Sequence, residues 1–307
     1  MAINHSMKKI LKALSFDGIE VEAARHLASL KAIDPMKIFH KTIDYKIYNG
    51  DYEVPVRIYL PREKVTEDLP VFLFFHGGGW VTDCIDNYER ICARLASATE
   101  HIVVSVEYRL APEHPFPTGF MDCYAVAKAI YTNRFILNVN PQRITLIGDS
   151  AGGNLAAAVS LKARDDGIFK PQRQILIYPA VNNDYSDTSR FQSVKDCGSD
   201  YLLTAGKMQD YIDLYAKNEE DKQNPYFAPY LAKDVSHQPD TLILTSEFDP
   251  LRDDGEAYGK RLKEAGNHVQ IHRIKGALHG YFALGIKHLY VQESFTYINA
   301  FLKGEAL

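Results

Sequence analysis

Ser150, Asp249 and His279 are the residue types from which nucleophilic acyl transfer is built, and they occur in the order nucleophile, acid, base. Acyl transfer by serine needs a base to take the hydroxyl proton, an acid to orient that base, and donors for the oxyanion that forms at the attacked carbonyl. Ser150 stands in Gly148-Asp149-Ser150-Ala151-Gly152, after the apolar run Ile144, Leu146 and Ile147 and ahead of a stretch of small, helix-favouring residues. The bare pattern arises by chance in roughly one chain of this length in ten, so its position is what informs. A strand, a sharp turn and a helix place a serine at the apex of a strained elbow, with glycines letting strand and helix approach closely. The helix start also aims unpaired N–H groups at any anion formed beside the serine.

Asp249 follows a candidate strand in Glu247-Phe248-Asp249-Pro250-Leu251, and His279 follows another in Ala277-Leu278-His279-Gly280-Tyr281. Their neighbours compete less well. Asp253 and Asp254 read as first-turn helix residues, favoured there by the helix dipole. His268 and His272 share the polar side of a strand with Gln270, and His288 lies near the start of the last helix. Asp149 cannot face both Ser150 and a histidine, so it reads as a supporting residue. For the oxyanion, the apolar strand 71–75 runs into His76-Gly77-Gly78-Gly79-Trp80. Three consecutive glycines are costly to order, and they fit a place where backbone amides face inward unobstructed. Gly77, Gly78, Gly79 and Ala151 are therefore the candidate oxyanion donors.

These residues need a scaffold that brings distant turns to one edge. Residues 42–60 alternate with period two on either side of Asn49-Gly50, a hairpin signal. Solid apolar runs at 71–75 and 102–106, with further strand candidates at 175–178, 241–245 and 269–274, read as strands buried on both faces. Helical patterns lie between or after them at 88–98, 120–131, 255–265 and 289–301. A hairpin followed by strand–helix units predicts an α/β fold: a mostly parallel sheet of about eight strands with helices on both faces. Two segments stand outside this rhythm. Apolar residues at helical spacing (Ile10, Leu11 and Leu14; then Val21, Ala24, Leu27 and Leu30) predict two short helices ahead of the first strand. Residues 182–230 are polar, aromatic and irregular, too long for a plain connection, and read as an insertion at the active edge of the sheet. Segments 1–40 and 182–230 are expected to roof the site within a single domain spanning 1–307.

The composition narrows the classes. The 307 residues carry a net charge of −4, against a nucleic-acid surface. Cys84, Cys92, Cys123 and Cys197 have no metal-ligand or disulfide-framework spacing. No apolar run approaches a membrane span and no signal-peptide pattern opens the sequence, so a cytoplasmic enzyme is expected. No metal and no organic cofactor is called for by any motif. Trp80, Tyr178, Phe227, Tyr281 and Phe282 are candidates for lining acyl and alcohol pockets, with ordinary core packing as the alternative.

The motifs His76-Gly77-Gly78-Gly79-Trp80, Tyr108-Arg109-Leu110-Ala111-Pro112-Glu113-His114-Pro115-Phe116-Pro117, Gly148-Asp149-Ser150-Ala151-Gly152-Gly153-Asn154-Leu155-Ala156 and Asp249-Pro250-Leu251-Arg252-Asp253, with His279-Gly280-Tyr281, closely resemble the hormone-sensitive-lipase-like branch of the α/β-hydrolases. Glu107 stands where an aspartate is commoner, and Tyr281 where phenylalanine is commoner. The resemblance implies an α/β-hydrolase fold with a helical cap and a carboxylesterase acting on small-molecule esters of short acyl chains. It implies Ser150, Asp249 and His279 as triad, the loop from His76 to Gly79 with Ala151 as oxyanion hole, and residues 108–117 as a turn supporting the site. A homodimer through the last strand or helix is implied by the same likeness. An amidase, peptidase or lactone hydrolase would use the same triad, and a small-molecule receptor is the rival outside enzymes, against which His279 in its place argues.

Overall fold

The computed structural model describes residues 20–29, 42–62, 69–284 and 288–305. Eight strands form one sheet: β1 (Thr42–Tyr48), β2 (Glu53–Tyr59), β3 (Val71–Phe75), β4 (Ile102–Val106), β5 (Ile144–Asp149), β6 (Arg173–Ile177), β7 (Asp240–Phe248) and β8 (Val269–Leu278). Their spatial order is β1-β2-β4-β3-β5-β6-β7-β8. The first two pair antiparallel, β2 pairs antiparallel with β4, and the remaining strands run parallel. The hairpin turns at Asn49, whose side-chain oxygen accepts from the Asp51 and Tyr52 amides.

The central strands are apolar throughout because both faces are covered. In β3, Val71, Leu73 and Phe75 pack on one face, while Phe72 and Phe74 pack on the other. The first face holds α3 (Thr118–Tyr131), α4 (Ala151–Asp166) and α7 (Arg252–Glu264); the second holds α2 (Glu89–Thr99) and α9 (His288–Lys303). The mostly parallel sheet of eight strands, with helices on both faces, matches the sequence expectation.

Register does the positioning. Phe75 of β3 pairs with Gly148 of β5, so the glycine loop and the elbow leave the sheet side by side. Phe248 of β7 pairs with Leu278 of β8, so Asp249 and His279, 30 residues apart, also emerge as neighbours. The β8 strand is longer than its apolar run predicts, continuing past Ile274 through a register shift opposite Ser246 and Phe248.

Above this edge lie α1 (Val21–Ser29) and the 182–230 segment. That segment is not irregular throughout: it contains α5 (Gln192–Cys197) and α6 (Ala205–Tyr215). Thr204 caps α6, its side chain accepting from the Lys207 amide. Of the two predicted N-terminal helices, the one carrying Ile10, Leu11 and Leu14 lies outside the described residues, as does Leu30 of the second. Further helical stretches are α8 (Tyr281–Leu284), which follows His279, and two short turns, Asp221–Gln223 and Pro229–Leu231, between α6 and β7.

Candidate active site

Ser150 sits between β5 and α4 with φ 54° and ψ −118°. Such a backbone conformation costs a serine about 1–3 kcal/mol and persists only where the surroundings over-determine it. Here they do. The Ser150 amide donates to the Ile177 carbonyl, and its own carbonyl accepts from the Asn154 and Ala180 amides. A Cβ on Gly152 would collide with the carbonyl of Phe75, which is why the helix can start so close to the strand.

The Ser150 Oγ lies 3.0 Å from Nε2 of His279, and His279 Nδ1 lies 2.7 Å from Asp249 Oδ2. Asp249 is fully buried, and its other oxygen accepts from the Leu251 amide at 2.9 Å. A carboxylate can only accept, so Nδ1 carries the proton and Nε2 is left to accept from the Ser150 hydroxyl. The ring of Tyr178 packs against that of His279, 4.8 Å between centroids. The competitor acids are engaged elsewhere. Glu247 accepts from the Gly276 amide, while Asp253 accepts from the Ser193 amide and Asp254 from the Tyr185 hydroxyl. His272 stacks on Tyr297, partly buried, and burial lowers its pKa.

The glycine loop divides into two parts. Gly78 and Gly79 adopt φ 107° and 61° and line a cavity together with Ser150, Ala151 and His279. The loop is held by the Gly78 carbonyl, which accepts from the amides of Val81 and Thr82 and from the Thr82 hydroxyl. Ala151, at the first position of α4, has no carbonyl one turn earlier to receive its N–H. Gly77 departs from the expectation. Its N–H donates to Asp149 Oδ1 and the Tyr88 hydroxyl, each at 3.0 Å, so it faces the protein and not the cavity.

That bond shows what Asp149 does. Its carboxylate takes Gly77 N–H on Oδ1, and the hydroxyls of Tyr88 and Tyr178 on Oδ2 at 3.0 and 3.1 Å. The fully buried group is pushed up to about 6 by desolvation, against the lowering effect of the two tyrosine hydrogen bonds. The sequence marked Asp149 as supporting; the structure makes it the tie between elbow and glycine loop. Residues 108–117 lie beneath the same loop: Tyr108 donates to the His76 carbonyl and stacks on the His76 ring, while Arg109 is paired to buried Asp122.

The cavity measures about 1060 Å³, at the top of the roughly 300–1,000 Å³ range of small-molecule sites. Of the five aromatic candidates, Trp80 lines it. The other four are core. Tyr178 and Tyr281 are fully buried, with hydroxyls directed to Asp149 and Ser294; Phe227 packs in an aromatic stack with Trp80 and Tyr215, and Phe282 packs against Phe295. More of the lining comes from residues not named as pocket candidates in the sequence: Ala23, Ala24 and Ala28 on α1, then Leu203, Met208 and Tyr211 on or before α6. The signal was present in Met208, Ile212 and Tyr215 at helical spacing behind a threonine cap. Asp83 also lines the cavity, in a left-handed conformation with φ 67°. Among the described residues, no group of three or more His, Cys, Asp or Glu side chains is gathered as a metal site, and no helix is long and apolar enough to cross a membrane.

Comparison with known proteins agrees with this geometry. Residues 72–283 match the model of a family described by the α/β-hydrolase fold. An arylesterase of Saccharolobus solfataricus is 37% identical over 267 residues, covering 87% of this chain and 84% of that protein. A carboxylesterase of Mycobacterium tuberculosis is 35% identical over 277 residues, with 87% and 84% covered. The structure of a hyperthermophilic esterase from the archaeon Pyrobaculum calidifontis superposes with a TM-score of 0.87 at 35% identity, covering 99% of both chains. Matches of this identity and extent place it by descent as well as by shape: the chain belongs to the α/β-hydrolase family, in its hormone-sensitive-lipase-like branch.

Proposed function

We propose that this chain is a serine carboxylesterase that hydrolyses esters of short acyl chains through an acyl-enzyme. The observation that carries the reading is the continuous relay from Asp249 through His279 to Ser150, with contacts of 2.7 and 3.0 Å, opening on the cavity beside Gly78, Gly79 and Ala151. His279 Nε2 takes the Ser150 proton as Oγ attacks the ester carbonyl. The oxyanion is held by backbone N–H groups of Gly78, Gly79 and Ala151, and His279 returns the proton to the departing alcohol. Water then enters by the same route, His279 taking its proton, and the acid leaves as Ser150 is reprotonated. Asp249 holds the imidazole tautomer and stabilises the imidazolium.

Relatives named arylesterase and carboxylesterase support esters as the substrate class. The test is hydrolysis of p-nitrophenyl butanoate by the purified protein, with stoichiometric labelling of Ser150 by an alkyl phosphonate. An intact chain that neither turns over the ester nor takes the label sinks the reading. Paired ester and amide substrates with one acyl group separate it from an amidase, since the amide has the poorer leaving group. We further propose that the 1–40 and 182–230 segments act as a cap on a single domain, and that the protein is cytoplasmic and dimeric. The dimer is supported by β8 lying at the sheet edge; light scattering on eluted protein decides it.

A further inference from the structure

We propose that Arg25 is a positioning residue that fixes the alanine wall of the substrate cavity to the loop system carrying the oxyanion donors, and so sets affinity for the bulkier esters. Its substrate side rests on the ester-hydrolase reading; its structural side does not. Arg25 projects from α1 and uses its guanidinium fork in three directions. Nε donates to the Val81 carbonyl at 2.9 Å, Nη2 donates to the Ala111 carbonyl at 3.0 Å, and Nη1 and Nη2 grip the two oxygens of Glu113 at 2.8 and 2.7 Å. Val81 lies two residues beyond Gly79, and its amide closes the turn on the Gly78 carbonyl; the Ala111 amide in turn donates to the Trp80 carbonyl. One side chain thus spans α1, the end of the glycine loop and the 108–117 turn.

An exposed ion pair alone would be worth little, and Glu113 is 55% exposed in its side chain. What sets this one apart is that two main-chain carbonyls share the fork, a geometry a planar five-donor group can meet and an ammonium cannot. Among the described residues, four hydrogen bonds from Arg25 join α1 to the sheet-borne loops. The face of α1 beside it presents Ala23, Ala24 and Ala28 to the cavity. Methyl groups define a wall only as well as their helix is held, since they have no length with which to follow a ligand. A cavity of about 1060 Å³ is far larger than an acetyl ester, so the wall matters more as the substrate grows.

The test compares Arg25→Met, Arg25→Lys and Glu113→Gln with the parent protein on p-nitrophenyl esters from acetyl to octanoyl. In Arg25→Met, KM rises with acyl length, from about twofold at acetyl to about tenfold at octanoyl, and kcat changes less than KM at each length. Arg25→Lys stays close to Arg25→Met, and Glu113→Gln, which keeps both carbonyl contacts, stays close to the parent. Amides of α1 exchange hydrogen at least about tenfold faster in Arg25→Met. A KM profile parallel to the parent's, a kcat loss equal at all lengths, full recovery with Arg25→Lys, or unchanged α1 exchange each overturns the proposal. The exchange measurement needs no turnover, so it separates failure of the latch from failure of the esterase reading. If Arg25→Met does not fold, Arg25→Lys carries both readouts.

Discussion

The floor and the roof of the cavity are held in different ways. The floor is held mainly by main chain: Gly78 and Ser150 carbonyls each accept from two amides and the strand register sets which residues emerge together, with the buried Asp149 carboxylate tying the glycine loop to the elbow. The roof is attached largely by side chains. Arg25 fastens α1; Ser193 and Tyr185 fasten the insertion to Pro250 in the loop after Asp249 and to Asp253 and Asp254 in the first turn of α7; and α6 contributes the Tyr215 carbonyl that accepts from the Phe116 amide. A floor with so many mutual constraints tolerates little change and sets the chemistry. A roof with few anchors can vary in sequence and sets which esters enter.

If that contrast is right, damage to the floor strikes kcat and damage to the roof strikes KM. The largest effect is expected from Ser150→Ala, with kcat lower by about 10⁵-fold or more and binding of a non-hydrolysed ester analogue nearly intact; calorimetry and steady-state rates measure the two. Gly78→Ala follows. Its new methyl meets the Thr82 carbonyl at a residue with φ 107°, and displacing one oxyanion donor lowers kcat about 10²–10³-fold. Gly79→Ala probes the seam between the regions, because its methyl meets the Tyr211 ring of α6. About a tenfold loss is expected, partly restored by adding Tyr211→Ala; a double variant no better than the single one would place the loss in the glycine loop alone.

Asp149 tests the floor by pH. Its proton is held in the folded state to about 6, against 3.8 for an ordinary carboxyl. The folded protein therefore binds a proton that the unfolded chain releases, and the stability gained is full below about pH 4 and lost as pH rises through 6. The difference amounts to roughly 3 kcal/mol. Urea titrations from pH 4 to 7 should show this slope in the parent and a flatter one in Asp149→Asn, whose amide oxygen still receives the Gly77 N–H. The smallest effect is expected at Ser193→Ala, about 1 kcal/mol of stability from two lost hydrogen bonds to the acid loop, read as a shift in the thermal midpoint.

The same contrast explains what could be read from residues alone. Ser150, Asp249 and His279 each follow a strand and lie in a turn marked by glycine or proline, so local pattern located them. Gly77 could not be told from Gly78 and Gly79, because composition does not say which amide a distant carboxylate will claim. The end of β8 was obscured by Gly276, which adopts φ 77° with its amide on Glu247, a kink that looks like a turn yet leaves the ladder running to Leu278. For a related reason the residues left pocket and core both open for Tyr178, Phe227, Tyr281 and Phe282: which side of a wall a ring occupies depends on neighbours far along the chain. In the roof, α6 hides among polar and aromatic neighbours, and its burial depends on partners such as Trp80 and Phe116.

The step in pairing between β7 and β8 has a consequence for insertions and deletions. Ser246 pairs with Ile274 and Phe248 with Leu278, so two residues of one strand span four of the other. Lengthening or trimming the connection between the two strands leaves this count untouched. Removing a single residue from 275–277 does not: side chains alternate along a strand, so His279 would turn to the opposite face while Asp249 stayed where it is. A one-residue deletion within that stretch should therefore silence the enzyme although it removes no catalytic residue.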